Sequence, residues 1–122
     1  MQIDFENAGR YLAANVSGPY SLYGMRELID QIAEESAKRN LERALVDVSL
    51  MTGDAPTMDR YEYATYAAAR LHPRLQKCAA CAGSGQRLEP FTEQVAQNRG
   101  FQLRVFRERA EAVNWLTADA GS

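Results

Sequence analysis

The chain has 122 residues, 46% hydrophobic and 25% charged, the proportions of one folded domain, 1–122, with a core of its own rather than a disordered chain. Its formal net charge of -2, from 14 Lys+Arg against 16 Asp+Glu, leaves no basic footprint for nucleic acid or an anionic membrane. No apolar run reaches the roughly 20 residues of a transmembrane helix, and Met1-Gln2-Ile3-Asp4-Phe5-Glu6 lacks the basic flank and apolar core of an export signal, so a cytoplasmic location is expected.

Ile3-Asp4-Phe5-Glu6 alternates, Asn7-Ala8-Gly9 is a turn signal, and Tyr11-Leu12-Ala13-Ala14-Asn15-Val16 resumes extended character. That pair predicts an antiparallel hairpin. Ser17-Gly18-Pro19 breaks the second strand, and Ser21 stands where a helix N-cap belongs. Met25, Leu28, Ile29, Ile32, Ala33 and Ala37 then recur every three or four positions, the buried stripe of an amphipathic helix ending at Asn40.

Arg43-Ala44-Leu45-Val46-Asp47-Val48-Ser49-Leu50 is a nearly unbroken apolar run, β-branched at Val46 and Val48. Such a run predicts a strand in mid-sheet, covered on both faces. In an open α/β sheet the carboxyl end of a central strand and the helix start beside it form the default site. A loop over 51–57 leads into a helix over 58–71 with Asp59 in its first turn. Tyr61, Ala64, Ala68 and Leu71 share one face of it, and Tyr63, Tyr66 and Arg70 a neighbouring one. His72-Pro73 ends it, because the residue before a proline avoids the helical region.

Residues 75–82 read as a strand rich in small side chains, closed by Gly83-Ser84-Gly85. Pro90 suits a first helical position, Phe91, Val95 and Ala96 form an apolar face, and Gly100 is the expected C′ residue. A strictly alternating strand over 101–106 belongs near a sheet edge. The last helix, 108–117, packs Ala112, Val113 and Leu116 beside Trp115, and 118–122 is expected to fray. Strands alternating with helices require right-handed crossovers. The fold class is therefore α/β: a mostly parallel five-stranded sheet with the hairpin as its antiparallel edge, and four helices.

The opening hairpin, the strand Leu45-Val46-Asp47-Val48-Ser49 and the ending Phe106-Arg107-Glu108-Arg109-Ala110-Glu111-Ala112-Val113-Asn114-Trp115-Leu116 resemble the SpoIIAA-like, or STAS, superfamily, and its uncharacterised branch in particular. The resemblance implies a sheet covered by helices largely on one side, and regulation by protein contact more often than catalysis. In signalling members the strand leads into an Asp-Ser-Ser-Gly-like turn whose serine is phosphorylated. Here Leu50-Met51-Thr52-Gly53-Asp54-Ala55-Pro56-Thr57 carries no serine pair, and Thr57, the hydroxyl at the end of the loop, is a weak candidate for that role. The related Sec14-like fold implies an apolar or lipid ligand.

Asp47 and Ser49 stand two apart on a strand and so share a face, placed to contact a ligand or to anchor the loop that carries Asp54 and Thr57. The simpler reading is that Asp47 accepts backbone N–H groups of the adjoining turn. Cys78-Ala79-Ala80-Cys81 has the spacing of a redox pair, but in a strand the two thiols face opposite ways and their Cα atoms lie about 10 Å apart. Buried core cysteines are expected. His72, the one histidine, sits at a helix end, where the dipole alone favours it. Ala82-Gly83-Ser84-Gly85-Gln86-Arg87 could hold an anion on its backbone, although a plain tight turn explains it better. Tyr63 and Tyr66 suit a partner or ligand surface, whereas Tyr23 and Tyr61 are candidates for the core.

No nucleophile–base pair, metal set or cofactor motif emerges. The expected function is a non-catalytic regulatory module working by protein contact as a homodimer, through the loop 51–57 and the helix start beyond it. The alternative is a carrier or sensor of a small apolar or lipid-like ligand held near Tyr63 and Tyr66, with an enzyme third. A contact module should expose an apolar patch of several hundred Å². A carrier should enclose a pocket of about 300 Å³ or more.

Overall fold

The first turn forms as its residues dictate. Gly9 takes φ +90° and donates its N–H to Asn7 Oδ1 at 2.9 Å, which closes a hairpin between β1 (Gln2–Asn7) and β2 (Leu12–Pro19). The structure, a computed structural model, describes residues 1–83, 86 and 90–118. Helix α1 (Leu22–Arg39) is capped by Ser21, whose Oγ accepts the Gly24 N–H at 2.9 Å, and it ends at Asn40 in the left-handed region. Then follow β3 (Arg43–Thr52), α2 (Thr57–Leu71), β4 (Lys77–Cys81), α3 (Pro90–Asn98), β5 (Leu103–Phe106) and α4 (Arg109–Thr117). The expected order of elements holds throughout. β4 and β5 are shorter than their apolar runs, because Leu75 turns back onto Leu71 O and the buried Phe101 packs before its strand begins.

The sheet order is β1-β2-β3-β4-β5. β1 pairs antiparallel with β2, and the other three pairings are parallel. β3 is thus the central strand, and the carboxyl ends of β2 to β5 all lie on one side. Strand alternation divides the core. Leu12, Ala14, Val16, Ala44, Val46, Cys78 and Leu103 face α1, α2 and α3. Leu45 and Ala79 face Ala112 and Leu116 of α4. Three helices therefore cover one face and a single short helix the other.

The outer edge of β5 is closed by side chains of α3. Glu93 Oε1 accepts the Val105 N–H at 2.5 Å, and Gln97 Nε2 donates to Leu103 O at 3.2 Å. Backbone groups that would otherwise invite another strand are thereby satisfied. At the amino end of the sheet, Arg43 and Lys77 donate to the carbonyls of Leu116 and Trp115 at the end of α4, a favourable place for cations.

The shelter of β3 is less extensive than its composition suggests. Between Asp47 and Leu50 the strand carries three steps where β2, between Asn15 and Ser17, carries two. The extra residue is a bulge, and it reverses the alternation. Met51 turns inward to pack against the helix layer, while Leu50 turns outward and is 72% exposed. Only Ala44 to Val46 are buried front and back.

Candidate functional site

Two groups of polar side chains gather at the carboxyl end of β3, one on each face. On the α4 side, Asp47 Oδ1 accepts both the Ser49 N–H at 2.9 Å and the Ser49 hydroxyl at 2.6 Å. Its Oδ2 accepts from Arg109 Nη1 at 2.8 Å. The same nitrogen donates to Asn15 Oδ1 at 2.9 Å, and Glu6 Oε1 accepts from Asn15 Nδ2 at 3.2 Å. Burial alone would raise the Asp47 carboxyl. The two bonds from Ser49 and the Arg109 guanidinium outweigh it and hold the group below the usual carboxylate range. Asp47 thus ties down the bulge within β3 through the Ser49 backbone N–H, rather than the adjoining turn, with Arg109 added to it.

On the helix side the loop 51–57 is held at several points. Gln86 Nε2 donates to Val48 O at 2.8 Å and to Met51 O at 3.1 Å, and Gln86 Oε1 accepts the Gly83 N–H at 2.7 Å. Arg107 donates to the carbonyls of Gly83 and Gln86. A Cβ on Gly83 would lie 3.0 Å from Ser49 O, so this close approach favours glycine, and a side chain there would have to push the β3 backbone back by a few tenths of an ångström. The Tyr20 N–H donates to Thr52 O at 2.9 Å, and the Tyr20 hydroxyl donates to Asp59 Oδ2 at 2.7 Å. Burial and the Asp59 carboxylate both hold that phenol above its ordinary range. Arg60, 7% exposed, donates from Nε to Ala55 O at 3.1 Å and from Nη2 to Asp54 Oδ1 at 2.8 Å.

Behind this loop, between the sheet and the helices, lies a cavity of about 130 Å³. Its walls are mainly aliphatic, from Leu28, Ile32, Val46, Ala64 and Leu103, and its polar lining is Asp54, Arg60, Tyr63, Gln86 and Thr92. Burial pushes the Tyr63 hydroxyl up, while Arg60 and the neighbouring Thr92 hydroxyl act the other way. Thr92 is 8% exposed, and among the described residues its Oγ1 has no partner within hydrogen-bond distance, the Tyr63 hydroxyl acting on it only from farther out.

No protein-family model matches the chain, and no curated protein does. Two solved structures follow the same course of elements. One is an uncharacterized protein of the DUF3478 family with a SpoIIAA-like fold, from Shewanella loihica PV-4, at TM-score 0.55 and 16% identity over 94% of this chain and 92% of that one. The other is the anti-sigma factor antagonist SpoIIAA in its unphosphorylated form, at TM-score 0.55 and 10% identity over 97% of this chain and 100% of that one. The fold is SpoIIAA-like. The likeness is one of fold, shared with an uncharacterised branch as well as with a regulator.

Within this SpoIIAA-like frame the expected site residues separate. Asp54 and Tyr63 meet at the cavity. Asp47 and Ser49 meet on the opposite face, and Thr57 is exposed as the first residue of α2. Tyr66 turns away from Tyr63. Its hydroxyl donates to Asp30 Oδ1 at 2.5 Å, its ring lies under Arg26, and the bond to Asp30 holds the phenol up. Tyr23 and Tyr61, candidates for the core, are instead 79% and 44% exposed. The buried stripe of α2 runs through Arg60, Ala64, Ala67, Ala68 and Leu71, so Ala64, Ala68 and Leu71 lie on it as expected and Arg60 takes the place of Tyr61. His72 is exposed at the end of α2. Ser84, Gly85 and Arg87 lie outside the described residues.

The sequence reading missed Arg60, Gln86, Thr92 and Arg109. A charged residue heading an alanine stripe was the available sign for Arg60. Cys78 and Cys81 are free and buried, as expected. Burial pushes the Cys78 thiol up to about 12, and burial with nearby Asp47 raises Cys81. Neither thiol should react with Ellman's reagent in the native protein within the time that both react in guanidinium. Rapid reaction in the native state would contradict this placement. Among the described residues no His/Cys/Asp/Glu group is arranged to hold a metal ion, and no helix is long and apolar enough to cross a membrane.

Proposed function

We propose that this chain is a non-catalytic regulatory module of the STAS type, working in the cytoplasm by protein contact at the carboxyl end of its sheet and assembling as a homodimer. The observation that carries this reading is the set of large apolar side chains left in solvent around that end: Leu50 and Met58 at 72% exposed, and Tyr23 at 79%. Large apolar side chains left exposed at one end of a fold mark contact surfaces. The loop between them is fixed in advance by Arg60, Gln86 and Tyr20, which reduces the ordering cost of binding. SpoIIAA, an anti-sigma factor antagonist of the same fold, supports a regulatory reading.

The test is sedimentation velocity over a concentration series, on the native chain and on Leu50→Asp and Met58→Asp. Both positions are exposed, so the charges leave the fold intact, which circular dichroism checks. The native chain should sediment as a dimer and the two variants as monomers. A native chain that stays monomeric throughout would overturn the homodimer, and a dimer untouched by either charge would place its contact elsewhere.

A further inference from the structure

We infer that the cavity between the sheet and α2 is a binding site for a small, uncharged, single-ring molecule carrying one hydroxyl. Its size sets the first limit. A dry aliphatic cavity of about 150 Å³ accepts benzene, whereas pockets for drug-sized ligands begin near 300 Å³. At about 130 Å³ the site takes one ring and excludes a lipid tail. The opening is written into the sequence, since Ala64 and Ala67 of α2 and Ala80 and Ala82 of the sheet side line it where larger side chains would fill it.

Thr92 sets the second limit. Thr92 is part of the lining, more than nine-tenths buried, and among the described residues its hydroxyl has no partner within hydrogen-bond distance. Buried hydroxyls are almost always paired, and valine would occupy the same space with no such penalty. An occupant with a hydroxyl supplies the missing partner, because a hydroxyl both donates and accepts. The Tyr63 hydroxyl is the polar group that interacts with Thr92, but it stays beyond hydrogen-bond geometry and so adds a second polar tip without satisfying the first.

Charge sets the third limit. Arg60 and Asp54, which form the charged part of the wall, are already joined at 2.8 Å. An ionised ligand would bring a further charge into a mainly apolar chamber whose described residues offer it no unpaired counter-ion, and that is strongly unfavourable. The occupant is therefore neutral. This site stands apart from the exposed rim on which the proposed protein contact depends, so each can fail without the other.

The test uses the full chain, with phenol and benzene as probes followed by amide NMR. Phenol should shift the signals of Tyr63, Ala64 and Thr92 and bind about five- to tenfold more tightly than benzene, the advantage of one hydrogen bond. Thr92→Val, nearly isosteric, should cancel that advantage and leave benzene binding unchanged. Ala64→Leu, which fills the chamber, should abolish binding of both. Should Ala64→Leu fail to fold, the Thr92→Val comparison decides alone. Equal affinity for the two probes, a Thr92→Val protein that keeps its preference for phenol, or shifts elsewhere on the surface would overturn the inference.

Discussion

Truncating Leu45 to alanine should lower the unfolding free energy by about 4 kcal/mol, near the upper end for a buried leucine. Leu45 is 0% exposed, and the fully buried residues it meets beneath α4 are Ala79, Ala112 and Leu116. Two of those three are alanines, with no rotamer that could swing into the space, so the cavity would persist. The helix seated there has only nine residues, too short to hold itself without packing. Urea unfolding should therefore show a lower midpoint, and amides of α4 should exchange faster than those of α1. Phe106 and Trp115 stay against each other at the rim, ring centroids 5.9 Å apart, and do not replace the lost contact. A loss below about 1 kcal/mol would mean that α4 is not seated on Leu45.

The parts of this fold that could be read in advance are those whose causes are local. Ser21, Asn40 and Gly100 act on the turn beside them, and all three do what their residue types predict. The alternation at Ala44, Leu45 and Val46 is equally legible, because three consecutive buried residues must divide between two covered faces. The SpoIIAA-like architecture follows from those elements in order. The bulge after Asp47 was not legible, since one inserted residue leaves no mark in composition, yet it exposes Leu50 and buries Met51. In α2 an aromatic counts as apolar and an arginine does not, so the pattern favoured Tyr61. The structure buries Arg60 because Ala55 O and Asp54 are there to receive it. That condition is tertiary, as is the pairing of Arg109 with Asp47, 62 positions earlier. The candidate site was thus located in outline, at the end of β3, but half of its polar members were invisible.

Replacing Arg109 by alanine should cost about 2 kcal/mol at neutral pH, because it leaves the Asp47 carboxylate, 14% exposed, with only Ser49 to bond it. The pH dependence separates this from a simple packing loss. Asp47 has a folded-state pKa below its unfolded one, so its contribution is present above the unfolded value of about 3.9. It disappears as pH falls through the lower folded value. Below that point the carboxyl is neutral in both states and Arg109 has no anion to hold. The native chain and Arg109→Ala should therefore differ most near neutrality and converge in acid, the native chain losing more stability over that descent. Asp47→Asn should flatten the same limb, since the amide cannot titrate. The measurement is urea unfolding of all three proteins at about pH 7 and at successive steps down to about pH 2.5. A gap between native and Arg109→Ala that stays constant across the series would show that Arg109 acts through its aliphatic stem, and that the ion pair contributes nothing to holding the end of β3.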